Sequence, residues 1–163
     1  MSWKLAAAAV TLRDQVNKRY PKRDRSSDGT IGDQAHKARG KLSDHNSDKS
    51  GYVMALDLDE DGWPAHTFAD ELVNYCRTSG DKRIKNIVYE GRVASGTYPK
   101  QWWVWRDAPT LGHAHHIHIS FAEPAKHDGK PFLLPLLDMP QAQPAKKAPA
   151  KKAPAKKAAK PKT

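Results

Sequence analysis

The chain of 163 residues has a single cysteine and no long hydrophobic run. The single cysteine, Cys76, excludes an intrachain disulfide and a cysteine-rich zinc module. No apolar run approaches the length of about 20 residues that spans a membrane. An alanine-rich stretch near the start runs into Arg13 and Asp14, so it is too short for a signal peptide. We therefore expect this stretch to form the first helix of a folded domain.

Acidic and aromatic residues are both absent from the segment 141–163. Its eight lysines account for all but +2 of the formal net charge of +10, so the positive and negative charges of the preceding residues nearly cancel. Proline, alanine and lysine cannot bury enough apolar surface to order a chain. We expect one domain over residues 1–140 and a disordered basic tail over 141–163. The tail is either a solvated linker or an electrostatic attachment to nucleic acid or to an anionic envelope polymer.

The spacing of apolar residues predicts a mixture of helices and strands. Helices are expected over 4–20 and, after a capping box at Thr67 and Asp70, up to residue 79. The remaining expected segments are strands over 52–58, 84–90, 102–105 and 116–121, loops over 22–51 and 91–99, and a strap over 132–137. The pattern predicts an α+β fold: a small, mainly antiparallel sheet with helices packed on one side.

Four of the eight histidines fall within six residues, from His113 to His118. The second half of this stretch, HIHISF, alternates polar and apolar residues, which is the period of a β-strand. His116 and His118 therefore share one face of the predicted strand. Imidazole is the commonest nitrogen ligand for zinc, so this face favours a metal site over a merely polar strand surface.

A metal site needs further ligands from elsewhere in the chain. His45 lies in the long loop, and Asp57 lies inside the apolar strand YVMALDL, where an unpaired carboxylate would be costly to bury. A loop histidine, a strand carboxylate and a histidine from a neighbouring strand would supply two nitrogens and one oxygen. Three protein ligands with a fourth position for water is the arrangement of catalytic rather than structural zinc.

Three segments together resemble a known family: SDGTIGDQAH (27–36), SDHN (43–46) and HHIHIS (115–120). They are similar to the peptidoglycan metallopeptidases of the lysostaphin, D-alanyl-D-alanine carboxypeptidase and sonic hedgehog superfamily. The peptidase domains of phage endolysins in that group look closest. The resemblance covers roughly residues 1–121 and implies a hedgehog-like fold. There are two departures: the histidine and aspartate of the first motif are further apart than in many members, and the Glu-x-x-His motif is missing.

Carried over residue by residue, the resemblance implies a zinc ion held by His45, Asp57 and His118. It implies proton transfer by His116, with His113 as oxyanion stabiliser or second proton carrier; His115 and Glu90 are the other candidates for the missing base. The implied activity is hydrolysis of an amide bond in the stem peptide or cross-link of bacterial peptidoglycan, of the D-Ala-D-Ala carboxypeptidase or L-alanyl-D-glutamate endopeptidase type.

Arg39 and Arg92 are the candidates for binding a carboxylate of this acidic substrate. The resemblance also implies a monomer that is made without a signal peptide in the host cytoplasm and acts at the cell wall. An alternative stays open: a non-enzymatic basic protein with structural zinc, whose tail binds nucleic acid or an anionic envelope polymer. The tail alone does not separate the two hypotheses.

The tail generates a first prediction. Truncation after Pro140 should leave hydrolysis of a small soluble peptide unchanged and should weaken binding to isolated cell walls. The loss should be largest at low salt, where charges are least screened. The measurement is a wall-sedimentation assay over a salt series beside a peptide-cleavage assay. An equal loss of both activities would contradict a role in attachment.

Overall fold

The computed structural model describes residues 2–40 and 43–138, which form an α+β fold around a five-stranded antiparallel sheet. The strands of this sheet are β3 (Ala55–Asp59), β4 (Ile84–Tyr89), β5 (Arg92–Ser95), β6 (Arg106–Asp107) and β7 (His116–Phe121). Their order is β3-β7-β4-β5-β6. A separate parallel pair consists of β1 (Lys4–Leu5) and β2 (Tyr52–Val53). The predicted tail, 141–163, lies outside the described residues.

Four α-helices occur in the described residues: α1 (Ala7–Arg19), α2 (Gln34–Ala38), α3 (Ala65–Thr78) and α4 (Pro135–Asp138). Short 3-10 turns lie at Pro99–Gln101, Pro109–Leu111 and Glu123–Lys126. None of the helices in this part of the chain is long and apolar enough to cross a bilayer.

One face of the sheet is apolar, and the long helices cover it. Leu56 pairs with Ile119 and Leu58 with Ile117, and all four side chains are buried. Ile87 continues this row on β4. The buried faces of α1 and α3 belong to the same core cluster. The predicted arrangement of an antiparallel sheet with helices on one side is therefore confirmed, and the other face is left for polar residues.

The end of the described chain crosses the two long helices. Phe132 and Leu134 are fully buried. The side-chain amide of Gln15 on α1 makes two hydrogen bonds of 2.9 Å with the backbone of Phe132, one to its oxygen and one from its N–H. The N–H of Leu136 donates to Glu71 on α3 at 2.9 Å. This segment is the strap that the apolar residues of 132–137 predict.

Two predicted segments are wrong. The stretch 91–99 is not all loop, because Arg92–Ser95 form β5. Glu90 and Gly91 both have positive φ, 49° and 66°, which is the geometry of a two-residue hairpin turn between β4 and β5. The stretch 102–105 is not a strand, since the backbone of Trp103 is left-handed (φ 52°). The edge strand begins later, at Arg106.

Both long helices begin elsewhere than predicted. α1 starts at Ala7 because Lys4–Leu5 pair with Tyr52–Val53 instead. α3 starts at Ala65, and no side chain caps it, so the capping box at Thr67 is wrong. Pro64 precedes the helix; its ring presets φ for a helix start, and it has no N–H that needs a partner there.

The strap generates a second prediction, with its control in the neighbouring residue. Phe132→Ala should lower the free energy of unfolding by about 3–5 kcal/mol, because it empties a closed core position. Leu133→Ala should change it by less than about 0.5 kcal/mol, because the Leu133 side chain is 73% exposed. Urea unfolding followed by circular dichroism measures both. Equal effects of the two changes would show that the strap does not close the core.

Candidate metal centre

The open face of the sheet carries a row of polar residues from β3 and β7. The antiparallel register pairs Asp57 with His118 and Asp59 with His116. Directly paired residues point to the same face, so these four side chains all project away from the helices. The apolar residues that alternate with them hold both strands in the core, which fixes the positions of the polar side chains.

The long segment before β2 returns across this open face beside β3. Gly29 forms an isolated antiparallel bridge with Asp57: the Asp57 N–H donates to the Gly29 oxygen at 2.8 Å, and the Gly29 N–H donates back at 3.2 Å. A Cβ on residue 29 would lie only 2.8 Å from Oδ2 of Asp57. Glycine is therefore required at this position for the segment to approach the carboxylate.

His45 reaches the same carboxylate from the far end of this segment. It is buried, and its Nδ1–H donates to the oxygen of Thr30 at 2.6 Å. Because a carbonyl oxygen can only accept, this bond places the proton of the neutral imidazole on Nδ1. Nε2 then has a free lone pair directed at Asp57 and His118.

His45, Asp57 and His118 converge with ligand atoms at mutual distances that suit a metal ion. Nε2 of His45 lies 3.1 Å from Nδ1 of His118 and 3.2 Å from Oδ2 of Asp57. Nδ1 of His118 lies 2.9 Å from Oδ1 of Asp57. These separations are close to the tetrahedral edge of about 3.3 Å that follows from ligand bonds of about 2.0 Å. The three residues could therefore hold one metal ion.

The charge of this cluster also suits a cation. Within residues 2–40 and 43–138, the ion-pair partners of Asp57 are all imidazoles, those of His45, His116 and His118. Without a metal ion, burial would raise the pKa of Asp57, but hydrogen bonds from protonated His118 and His45 outweigh it and hold this pKa below its usual range. Burial lowers the pKa of His45, but the hydrogen bond with Asp57 outweighs it and raises this pKa. A bound metal ion would take the place of the protons on the two nitrogens that face Asp57. The carboxylate is thus ionised and buried without lysine or arginine, and a divalent ion would supply the missing charge.

A serine on β7 orients the third ligand. Nε2 of His118 lies 2.9 Å from the hydroxyl oxygen of Ser120. With Nε2–H donating to Ser120, Nδ1 presents its lone pair to the cluster. The alternation that puts His116 and His118 on one face also includes Ser120, so the sequence contained this signal.

His113 and His116 lie beside the three residues. Nε2 of His116 is 3.8 Å from Oδ2 of Asp57, and the His113 ring centroid is 4.8 Å from that of His118. Burial, reinforced by the neighbouring His118 and His116, lowers the pKa of His113 to about 4. Burial also lowers the pKa of His116. Both imidazoles are neutral at pH 7, as proton acceptance requires.

Asp57, His113 and His116 form a second group within metal-binding reach, which shares the carboxylate with the first. The first group is the better candidate because bonds to Thr30 and Ser120 fix both of its imidazoles. Nδ1 of His113, in contrast, is buried without a hydrogen-bond partner among the described residues. Its backbone is left-handed, with φ of 60°.

The other proposed bases lie elsewhere. His115 is largely exposed, with Nδ1 3.6 Å from a carboxylate oxygen of Glu60. Glu90 contacts His66 and Arg92 at the turn after β4. Neither His115 nor Glu90 is in the metal-binding groups. In the described part of the chain, the candidates for proton transfer beside the cluster are therefore His113 and His116.

A cleft of about 240 Å³ opens over the cluster. His45, His113 and His118 line it, as does Arg39 from the long segment, whereas Asp57 and His116 are not among the lining residues. Arg92 is not among the lining residues. The strand alternation that puts Val93 in the cleft turns Arg92 to the opposite face, where its guanidinium lies 4.9 Å from the ring of Trp105.

The cleft contains further polar residues beside the predicted ligands and bases. Lys85 lines it and pairs with Asp44, with Nζ 2.7 Å from Oδ2. Asn86 lines its floor beside Ser120, with which it is in register. The side chain of His36 also lines the cleft and is held by Asp33, 2.9 Å from Nδ1. The alternation of polar and apolar residues along the strands does not identify these residues as part of the site. Their position in the cleft depends on which loop lies over the sheet.

The fold and the site define a small α+β domain with a candidate three-ligand metal centre in an open cleft. No family model, no characterised protein and no solved structure matches this chain. The function of the centre must therefore be inferred from the residues and their geometry.

The cluster generates a third prediction. The full chain should bind one equivalent of zinc, and His45→Ala, Asp57→Ala or His118→Ala should each remove it, because a ligand contributes directly to metal affinity. Elemental analysis after dialysis measures the content, with folding matched by circular dichroism. His66→Ala is the control, since that imidazole lies on another face beside Asp70 and Glu90.

A different ligand set would give the reverse pattern. If His118→Ala kept its zinc while the double change His113→Ala and His116→Ala lost it, the second group would be the binding site. Added zinc should also stabilise the wild-type fold, by about 2.7 kcal/mol at a free concentration one hundred times the dissociation constant.

Proposed function

We propose that this protein is a zinc-dependent peptidase that hydrolyses an amide bond in bacterial peptidoglycan. The observation that carries the proposal is the cluster of His45, Asp57 and His118 at an open cleft, with two neutral histidines beside it. Two imidazole nitrogens and one carboxylate oxygen are a donor set that suits zinc. Three protein ligands leave room for a further ligand, as catalytic zinc sites do.

Zinc bound here would make water a better nucleophile and polarise the carbonyl of the scissile amide. His116 is the general base: its Nε2 accepts the proton of the attacking water and then delivers it to the leaving amine nitrogen. The carbonyl carbon gains a C–O bond and the C–N bond breaks. His113, which lines the cleft, donates a hydrogen bond to the developing oxyanion or serves as a second proton carrier.

The substrate class is supported by the three segments that resemble peptidoglycan metallopeptidases, and by the cleft itself. Its open shape admits a peptide of a cross-linked polymer. Arg39 on its wall offers a guanidinium to the carboxylates in which stem peptides are rich. The basic tail would hold the enzyme to anionic polymers of the wall. An endolysin of this kind is made in the host cytoplasm and acts on the cell wall.

The non-enzymatic alternative, with structural zinc and a nucleic-acid-binding tail, has less support. Structural zinc sites are closed by four protein ligands. Here the preferred group supplies three, and the cleft reaches it.

A fourth prediction separates the base from the ligands. His116→Ala should retain zinc and lose turnover by about 10²–10⁴-fold, the usual contribution of a general base. His118→Ala should lose both zinc and turnover. Turnover is measured by digesting purified peptidoglycan and identifying the new N-termini by mass spectrometry, which also identifies the bond that is cut.

His127→Ala is the control for these two changes, because His127 contacts Tyr52 away from the cleft and should keep full activity. If His116→Ala emptied the site and His118→Ala kept zinc and activity, the two roles would be exchanged. If neither change altered turnover, or if the wild type released no new N-termini, the peptidase proposal would be rejected.

A further inference from the structure

A row of residues runs from the metal centre across the open face of the sheet to its far edge. The register pairs Asp57 with His118, His118 with Val88, Val88 with Val93, and Val93 with Arg106. Since each pair points to the same face, Arg106 projects to the same side as the candidate metal ligands. It lies three strands from His118, or about 14 Å at about 4.8 Å per strand.

The floor of the cleft follows this row. His118, Val88 and Val93 all line the cleft, and Arg106 is the next residue after Val93. Arg106 itself lies beyond the lining residues of the cleft, so a substrate that follows the floor across the strands would leave the cleft on the side of Arg106. The half-buried Val93 leaves the path apolar between its two polar ends.

Arg106 differs from most of the described arginines because its guanidinium has no hydrogen-bond or ion-pair partner. Among residues 2–40 and 43–138, only Arg39 and Arg106 have a guanidinium with no hydrogen bond or ion pair. Arg39 is exposed, whereas Arg106 is half-buried and its Nε is buried without a partner. Burying part of a charged guanidinium without an acceptor is costly, so the half-buried Arg106 would gain from an acceptor that reaches its remaining N–H groups from outside the chain.

Tyr98 holds the Arg106 guanidinium in place. The carbon at its centre lies 4.0 Å from the centroid of the Tyr98 ring, a stacked cation–π contact. Stacking uses the face of the guanidinium and leaves its in-plane N–H groups available. A planar, pre-oriented fork of N–H donors matches a carboxylate, to which it can donate two parallel hydrogen bonds.

We propose that Arg106, stacked on Tyr98, binds a carboxylate of an acidic peptide substrate, at a subsite distant from the metal centre. This inference rests on the proposed peptidase function, for which it names a specificity residue. A span of about 14 Å corresponds to about four residues of extended peptide at about 3.5 Å each. The preferred substrate therefore carries a carboxylate about four residues from the bond that is cut.

The kinetic test uses soluble stem-peptide fragments in matched pairs, with the carboxylate at a chosen distance either free or converted to its carboxamide. In the wild type, the free acid should have the lower KM, with the largest difference at a spacing of about four residues. Arg106→Gln should raise the KM of the free acid about tenfold, as loss of a charge-assisted hydrogen bond predicts, and leave kcat and the amide unchanged. Arg106→Lys should recover only part of the difference, because it keeps the charge without the fork.

Arg92→Gln is the matched control, because Arg92 lies on the opposite face of the same edge hairpin and should keep the preference for the free acid. An equal rise in KM for acid and amide in Arg106→Gln would assign Arg106 a structural role only. Unchanged KM values in Arg106→Gln would exclude the subsite.

A direct binding test separates this inference from the proposed function. The full chain carrying His116→Ala, which should bind these fragments without turning them over, is titrated with each peptide while the Arg106 Nε–Hε signal is followed by NMR. A shift with the free acid and none with the amide supports the subsite even if the wild type cleaves no peptide, in which case the peptidase proposal alone fails. Cleavage by the wild type without this shift overturns the subsite alone.

Discussion

A buried carboxylate without a fixed cation is the constraint on which the site depends. Asp57 lies on β3, the edge strand of the sheet, where its backbone bonds to Gly29 on one side and pairs with β7 on the other. An isolated buried charge is very costly, and the imidazoles of His45 and His118 offset part of that cost. The same two contacts bring together the donor atoms of the candidate metal site, so the Asp57 side chain matters for both stability and metal binding.

The segment that carries His45 is long and largely irregular where the structure describes it, yet an ion pair with a buried arginine fixes its start. The guanidinium of Arg23 donates to both oxygens of Asp28, at 2.7 and 2.5 Å. Asp28 also accepts from the N–H of Asp59 at 2.8 Å. Because Gly29 follows Asp28 in the sequence, this ion pair holds Gly29 beside Asp57. The irregular segment is thus held by charged contacts at its start and by the contacts of His45 near its end.

Strand alternation predicted much of the site and little of its surroundings. HIHISF alternates polar and apolar residues, and this put His116 and His118 on one face. Asp57 was identified differently, as the single acid within the apolar run YVMALDL. Alternation could not reveal which strand lies next to which. The register across β4, β5 and β6 places Arg106, and not Arg92, on the face of the sheet that carries the cleft. The hairpin was missed because Glu90, at positive φ, is not a usual turn residue.

The chain that cannot form an intrachain disulfide has another way to join distant segments. His45 and His118 are 73 positions apart, and a metal ion held by both would close that loop as a cross-link does. A permanent link over such a loop stabilises a fold by about 4 kcal/mol on the chain-entropy account. A metal link gives this stabilisation only while the ion is bound. Metal supply would then control the lifetime of the folded chain as well as its chemistry, and chelation would act on it as reduction acts on a disulfide protein.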